Sequence, residues 1–140
     1  MTQIRILSLV FFLLFCSGCV GTEGLNSVSI LTRNNWVLYS LAGNQIDKSK
    51  FGMELPSLDF LEGGRLAGFS GCNNFSGEFT LKGTEISLEP GAMTKKACPG
   101  TAEPEFISAL ERVKNFTVKK EKLTLLDGTT ELMSFIPNKD

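Results

Sequence analysis

Two cysteines in the middle of the chain, Cys72 and Cys98, are the residues whose type and spacing could do chemistry. The first sits in Gly71-Cys72-Asn73-Asn74-Phe75-Ser76-Gly77, the second in Met93-Thr94-Lys95-Lys96-Ala97-Cys98-Pro99. In a reducing compartment such a pair gives thiols, metal ligands or a redox centre; in an oxidising one it can become a cross-link. Catalytic disulfides are usually closely spaced, as in Cys-x-x-Cys, so the wide spacing argues for a structural bond. Two cysteines alone cannot close a tetrahedral zinc site, and no Asp/Glu constellation nearby completes one. The chain contains no histidine, which removes the commonest general base and the commonest nitrogen ligand. Gly68-Phe69-Ser70-Gly71-Cys72 has the outline of a nucleophile elbow, but its fifth position is cysteine and no histidine exists to complete a triad. Glu54, Asp59, Glu62, Glu78, Glu85 and Glu89 fall at turns and strand ends and read as solvated surface charge. The expectation is a protein without a catalytic site, a metal or a cofactor.

The N-terminus sets the compartment. Arg5 is the sole charged side chain before Glu23, and the apolar run Ile6 to Phe15 follows it. That run is too short for a membrane-spanning helix, which needs about 20 apolar residues, and it fits a secretory signal peptide. Cys16-Ser17-Gly18-Cys19 resembles a bacterial lipobox, with small residues before a cysteine that is acylated and becomes the mature N-terminus. Cys16 departs from the pattern, where a Leu-like residue is usual. The alternatives are a plain secretion signal cut near Gly18 or a retained anchor helix. Acylated Cys19 would carry enough chains for stable anchoring. Val20, in place of an Asp, favours an outer-membrane location facing the periplasm. With Cys19 acylated and Cys16 removed, two cysteines remain in an exported chain. That arithmetic pairs Cys72 with Cys98 as a disulfide, against the alternative of two buried thiols that pack as small apolar groups.

Removing residues 1–18 from the 140 leaves 122, the size of one domain. The mature chain has 13 basic residues, since Arg5 is lost from 14, against 15 acidic ones. That balance gives no electrostatic case for nucleic acid. Lys119-Lys120-Glu121-Lys122 reads as a strand edge guarded by lysines. Residues 19–35 read as a polar tether and residues 36–137 as the folded part, expected to be a monomer.

The elements that must position the cysteines are mostly strands. Trp36 to Leu41 is β-branched and aromatic and stops at Ala42-Gly43. Leu58 to Phe60 and Arg65 to Ser70 flank the Gly63-Gly64 turn. Phe75, Phe79 and Leu81 share one face around Gly77, where a bulge is expected. Ile86 and Leu88, Phe116 and Val118, and Leu123 and Leu125 alternate in turn, and Asp127-Gly128 is a tight-turn signal. Leu132 to Ile136 closes the series. One helix is expected from the stripe Phe106, Ile107, Leu110 and Val113, with Thr101 as its cap and Pro104 tolerated in its first turn. Asn73 and Asn74 read as turn residues that tolerate left-handed backbone. The predicted class is α+β, mostly β: a curved antiparallel sheet or small, partly open barrel of about seven or eight strands packed against one helix.

Trp36, the block Gly71-Cys72-Asn73-Asn74 with Gly77, the block Met93-Thr94 through Cys98, and the Phe106–Leu110 helix together resemble the META domain family, which includes HslJ-like heat-inducible envelope lipoproteins. The resemblance covers residues 34–137. It implies a compact β-rich fold with one helix, bonded cysteines, and a setting in envelope stress or antibiotic tolerance; it carries no assigned active site. The functional expectation is a non-catalytic, lipid-anchored envelope protein that acts by contact with an unknown envelope protein or ligand. The alternative is a carrier that encloses a lipid or small apolar ligand within the curved sheet, signalled by a cavity of about 300 Å³ or more.

Overall fold

A computed structural model of the chain describes residues 23–52 and 54–139. Arg5, the apolar run, Cys16 and the expected lipidation site Cys19 lie outside the described residues. Nine strands follow one another: β1 (Asn35–Leu41), β2 (Asn44–Gln45), β3 (Ser57–Leu61), β4 (Arg65–Phe69), β5 (Asn74–Lys82), β6 (Glu85–Met93), β7 (Asn115–Lys119), β8 (Lys122–Asp127) and β9 (Thr130–Pro137). Every pairing is antiparallel, and β1 pairs with β9, so the sheet closes into a ring. The β1–β9 pairing covers edges that an open sheet would present there.

The alternation in the sequence is what curls the sheet around a core. Trp36, Leu38, Leu58, Phe60, Leu66, Phe79, Leu88, Leu123, Leu125, Met133 and Phe135 are all buried inside. Phe60 and Phe79 meet edge to face at 5.1 Å between ring centroids, within the range that such pairs favour. Closure is weakest between β6 and β7, which share a single residue pair, Glu85 with Asn115.

Two α-helices accompany the ring among the described residues. α2 (Glu103–Glu111) packs against β6 and β9, beside that weak seam. Phe106 and Leu110 on it are wholly buried, and the Phe106 ring lies 6.5 Å from both Phe75 and Phe135. Ala109 joins the buried stripe while Ile107 is only partly covered. The residue before the helix is Ala102, with no side-chain cap. Thr101, the expected cap, donates instead to the Cys98 carbonyl at 2.9 Å.

α1 (Glu23–Thr32) falls in the stretch read as a tether. Its Leu31 is fully buried in the core, and Trp36 Nε1 donates to the Leu31 carbonyl at 2.9 Å. Ordered structure therefore begins N-terminal of Trp36. The expected bulge also moves. Phe75 pairs with Met93 and Ser76 with Gly91, so the extra residue is Ala92 on β6, with Gly91 at φ +63°. Gly77 serves a different need: a Cβ there would overlap the Glu89 carbonyl oxygen and approach Pro90 C at 2.7 Å.

Candidate functional site

Three segments meet at the end of the ring opposite α1: the β4–β5 connection (70–73), the β6–α2 connection (94–102) and the start of α2. Cys72 and Cys98 are disulfide-bonded there, with their Cα atoms 6.0 Å apart. That separation is ordinary for a disulfide. Cys72 is buried and Cys98 half-buried. Gly71 lets the chain reach this point. It sits at φ +91°, and a Cβ would lie 2.6 Å from the ring of Phe51, a fully packed residue in the short 3-10 helix Lys48–Phe51.

Asn73 is the hub. Its backbone is not left-handed, and Gly71 supplies that geometry; the Asn73 carbonyl closes the connection by accepting from Ser70 N at 2.8 Å. The buried Asn73 amide spans all three segments. Its Oδ1 accepts from Lys96 N at 2.7 Å and Thr94 Oγ1 at 2.8 Å. Its Nδ2 donates to Glu103 Oε1 at 3.0 Å and to the Lys96 carbonyl at 3.2 Å. An asparagine side chain has two donors and one oxygen with two lone pairs, so this one is saturated. Ser70, also buried, accepts from Asn73 N at 2.8 Å and turns its hydroxyl to the Glu103 carboxylate.

Asn74 does not join through its side chain. Its backbone exchanges bonds with Thr94, Asn74 N to Thr94 Oγ1 at 3.1 Å and Thr94 N to the Asn74 carbonyl at 3.0 Å. Met93 is partly buried against the core. Trp36 lies in the core near α1, and Gly77 lies in the β5–β6 ladder; neither belongs to this cluster. Ser70 and Glu103 were missed as its members. Their signal was present but weak: Ser70 adjoins the Gly-Cys block, and Glu103 reads as an acid suited to a helix N-terminus.

The cluster holds a serine, a carboxylate and an amide, yet it lacks the parts of a reaction centre. Ser70 is wholly buried, its oxygen is engaged on both sides, and no imidazole is available to take its proton. Among the described residues, no group of three His, Cys, Asp or Glu side chains could hold a metal. The arrangement can fasten backbone segments together. It is a clasp.

The same residues carry the family relationship. The META domain family matches residues 29–140, four-fifths of the chain. The chain belongs to the META domain family. Its fold is shared with solved structures of low identity. An NMR structure of a protein from Burkholderia xenovorans is similar at TM-score 0.62 and 22% identity, covering 82% of this chain and 88% of that one. A DUF4847 family protein from Bacteroides vulgatus is similar at TM-score 0.61 and 16% identity, covering 81% and 99%. No curated protein matches the chain in sequence. None of these relationships indicates an enzymatic family. The META match begins inside α1, in agreement with the burial of Leu31.

Proposed function

We propose that this META domain protein is a non-catalytic lipoprotein of the bacterial cell envelope, anchored through acylated Cys19 to the outer membrane and facing the periplasm, where it acts by contact under envelope stress or antibiotic challenge. The observation that carries the reading is the Cys72–Cys98 bond, because a structural disulfide persists in an exported protein and is rare in cytosol. The signal-like N-terminus supplies the route to that compartment. The saturated clasp supports a non-catalytic role, since its polar groups are spent on one another. The packed interior, with Trp36, Phe60, Phe106 and Phe135 each at most 1% exposed and Phe rings in mutual contact, supports contact over carriage of an enclosed ligand.

Palmitate labelling of cells that express wild type or Cys19→Ser tests the anchor. Label is expected in the wild type and absent from the variant; equal labelling refutes acylation at Cys19. Native mass spectrometry of the periplasmic domain tests the mode of action. A protein two hydrogens lighter than the reduced chain and free of adducts is expected, and a co-purified lipid would favour the carrier.

A further inference from the structure

We propose that the α1 end of the ring faces the bilayer and that a basic, partly apolar surface there docks on anionic lipid headgroups. The proposal rests on the lipid anchor proposed above. Four residue steps separate Cys19 from Glu23, the first residue of α1. Four extended residues reach about 14 Å at most, whereas a leash to Trp36 of seventeen residues would reach roughly 60 Å. α1 is no leash, because buried Leu31 and the Trp36–Leu31 hydrogen bond fix it to the domain and it packs on β3 and β5. An acyl chain on Cys19 therefore keeps this end of the ring close to the membrane.

The strand register shows what else lies at this end. Trp36 at the start of β1 pairs with Pro137 at the end of β9, and Lys119 pairs with Lys122 across the β7–β8 turn. Between them lies an open groove of about 530 Å³, lined by Val37, Ile136 and Pro137 together with Lys120, Lys139 and Glu121. Next to it, Lys122 Nζ stands 5.3 Å from the centre of the Tyr39 ring. Tyr39 and Ile136 are 40% and 42% exposed, the two most exposed large hydrophobics among the described residues. Three lysines against one glutamate, set around exposed aromatic and aliphatic groups, match a headgroup layer: the ammonium groups meet phosphate while the apolar groups meet the interface.

The test uses the mature chain from residue 19 with Cys19→Ser, which keeps every described residue and has no acyl chain to mask weak docking. It is co-sedimented with vesicles of phosphatidylcholine alone or with phosphatidylglycerol added. Binding is expected only with phosphatidylglycerol and should fall as salt rises. A lysine near an anionic surface contributes about fivefold, so Lys120→Gln, Lys122→Gln and Lys139→Gln together should lower binding by at least about tenfold. The triple control Lys48→Gln, Lys50→Gln and Lys95→Gln, at the clasp end, should bind as the parent does. Equal binding to both vesicle types, or an equal loss in the control, overturns the docking surface. If palmitate labelling fails while phosphatidylglycerol binding persists, the anchor falls and the surface stands. Labelling without such binding does the reverse.

Discussion

Replacing Asn73 by alanine should cost about as much stability as breaking the disulfide beside it. The amide makes two short bonds as acceptor, to Lys96 N and Thr94 Oγ1, and two as donor, to Glu103 and the Lys96 carbonyl. Neutral bonds contribute about 1 kcal/mol each and one to a charged group about 1.5–3. The simple total is about 5 kcal/mol. Thr94 is exposed and Glu103 half-exposed, so water can replace part of their loss, and about 3–4 kcal/mol remains. The disulfide closes a loop of sequence separation 26, worth about 3.5 kcal/mol in the chain-entropy account. Each change alone should lower the melting temperature by about 12 °C or more, at roughly 4 °C per kcal/mol for a domain of this size. Asn73→Asp keeps the acceptor oxygen but places a carboxylate against Glu103, so it should rescue nothing. Urea unfolding of Asn73→Ala, of Cys72→Ala/Cys98→Ala and of the triple variant supplies the numbers. Both devices tie the same segments, so the triple should lose at least about 1 kcal/mol less than the sum. A loss below about 1 kcal/mol for Asn73→Ala would refute the hub.

Gly77→Ala should destabilise by about 3 kcal/mol in the same urea assay, because the new Cβ meets backbone of β6 that cannot yield as a side-chain tip would. Glu121 sits at φ +61° in the β7–β8 turn, a conformation that costs a side chain about 1–2 kcal/mol; Glu121→Gly should therefore raise stability by about 1 kcal/mol in calorimetry. The hydrogen bond from Lys114, at 2.6 Å, holds the Asp127 carboxyl below its ordinary value of 3.8, with Arg112 adding to the effect. A depressed carboxyl stabilises the fold above that value and loses its contribution as pH falls through the lower, folded one. The stability gap between wild type and Asp127→Asn should therefore be constant from pH 7 to about 5 and shrink as pH falls below 3.8; a gap that widens in acid would contradict the pairing.

The strands were legible because period-two alternation is a local signal that the closed ring uses directly: Trp36 with Leu38, Leu58 with Phe60 and Leu123 with Leu125 all point inward. Elements fixed by distant partners were not. Phe51 lies among Lys48, Ser49 and Lys50, so its surroundings read as loop; it is core because segments distant in sequence, Gly71 among them, close over it. Glu23–Thr32 mixes polar and apolar residues, and its docking shows in buried Leu31 and in the Trp36 indole bond to the Leu31 carbonyl, neither of which is a local signal. The site divides the same way. The cysteine pairing followed from the expected compartment and the cysteine count, which are read from the whole chain. The role of Asn73 did not, because asparagine beside glycine and cysteine is first a turn signal, and its true partners lie 21 to 30 residues away.

The clasp sits where the ring most needs it. β6 and β7 share one residue pair, so little sheet hydrogen bonding resists opening there, and α2 supplies much of the closure by inserting Phe106 between Phe75 and Phe135. A nine-residue helix is marginal without tertiary contacts. Its first turn is pinned by Ser70 and Asn73 on Glu103 and by Ala102 N donating to the Lys50 carbonyl at 2.9 Å, and the disulfide anchors the chain just before it. Reduction should therefore loosen α2 and the β6–β7 seam before it loosens the β8–β9 and β1–β9 ladders. Amide exchange after treatment with a reductant distinguishes this from uniform weakening. Protection should drop first at Phe106, Leu110 and Phe116, while Leu125 and Phe135 hold until global unfolding. Equal loss at all five amides would mean that the disulfide acts only through the unfolded chain, and the clasp would have no mechanical role in holding the ring shut.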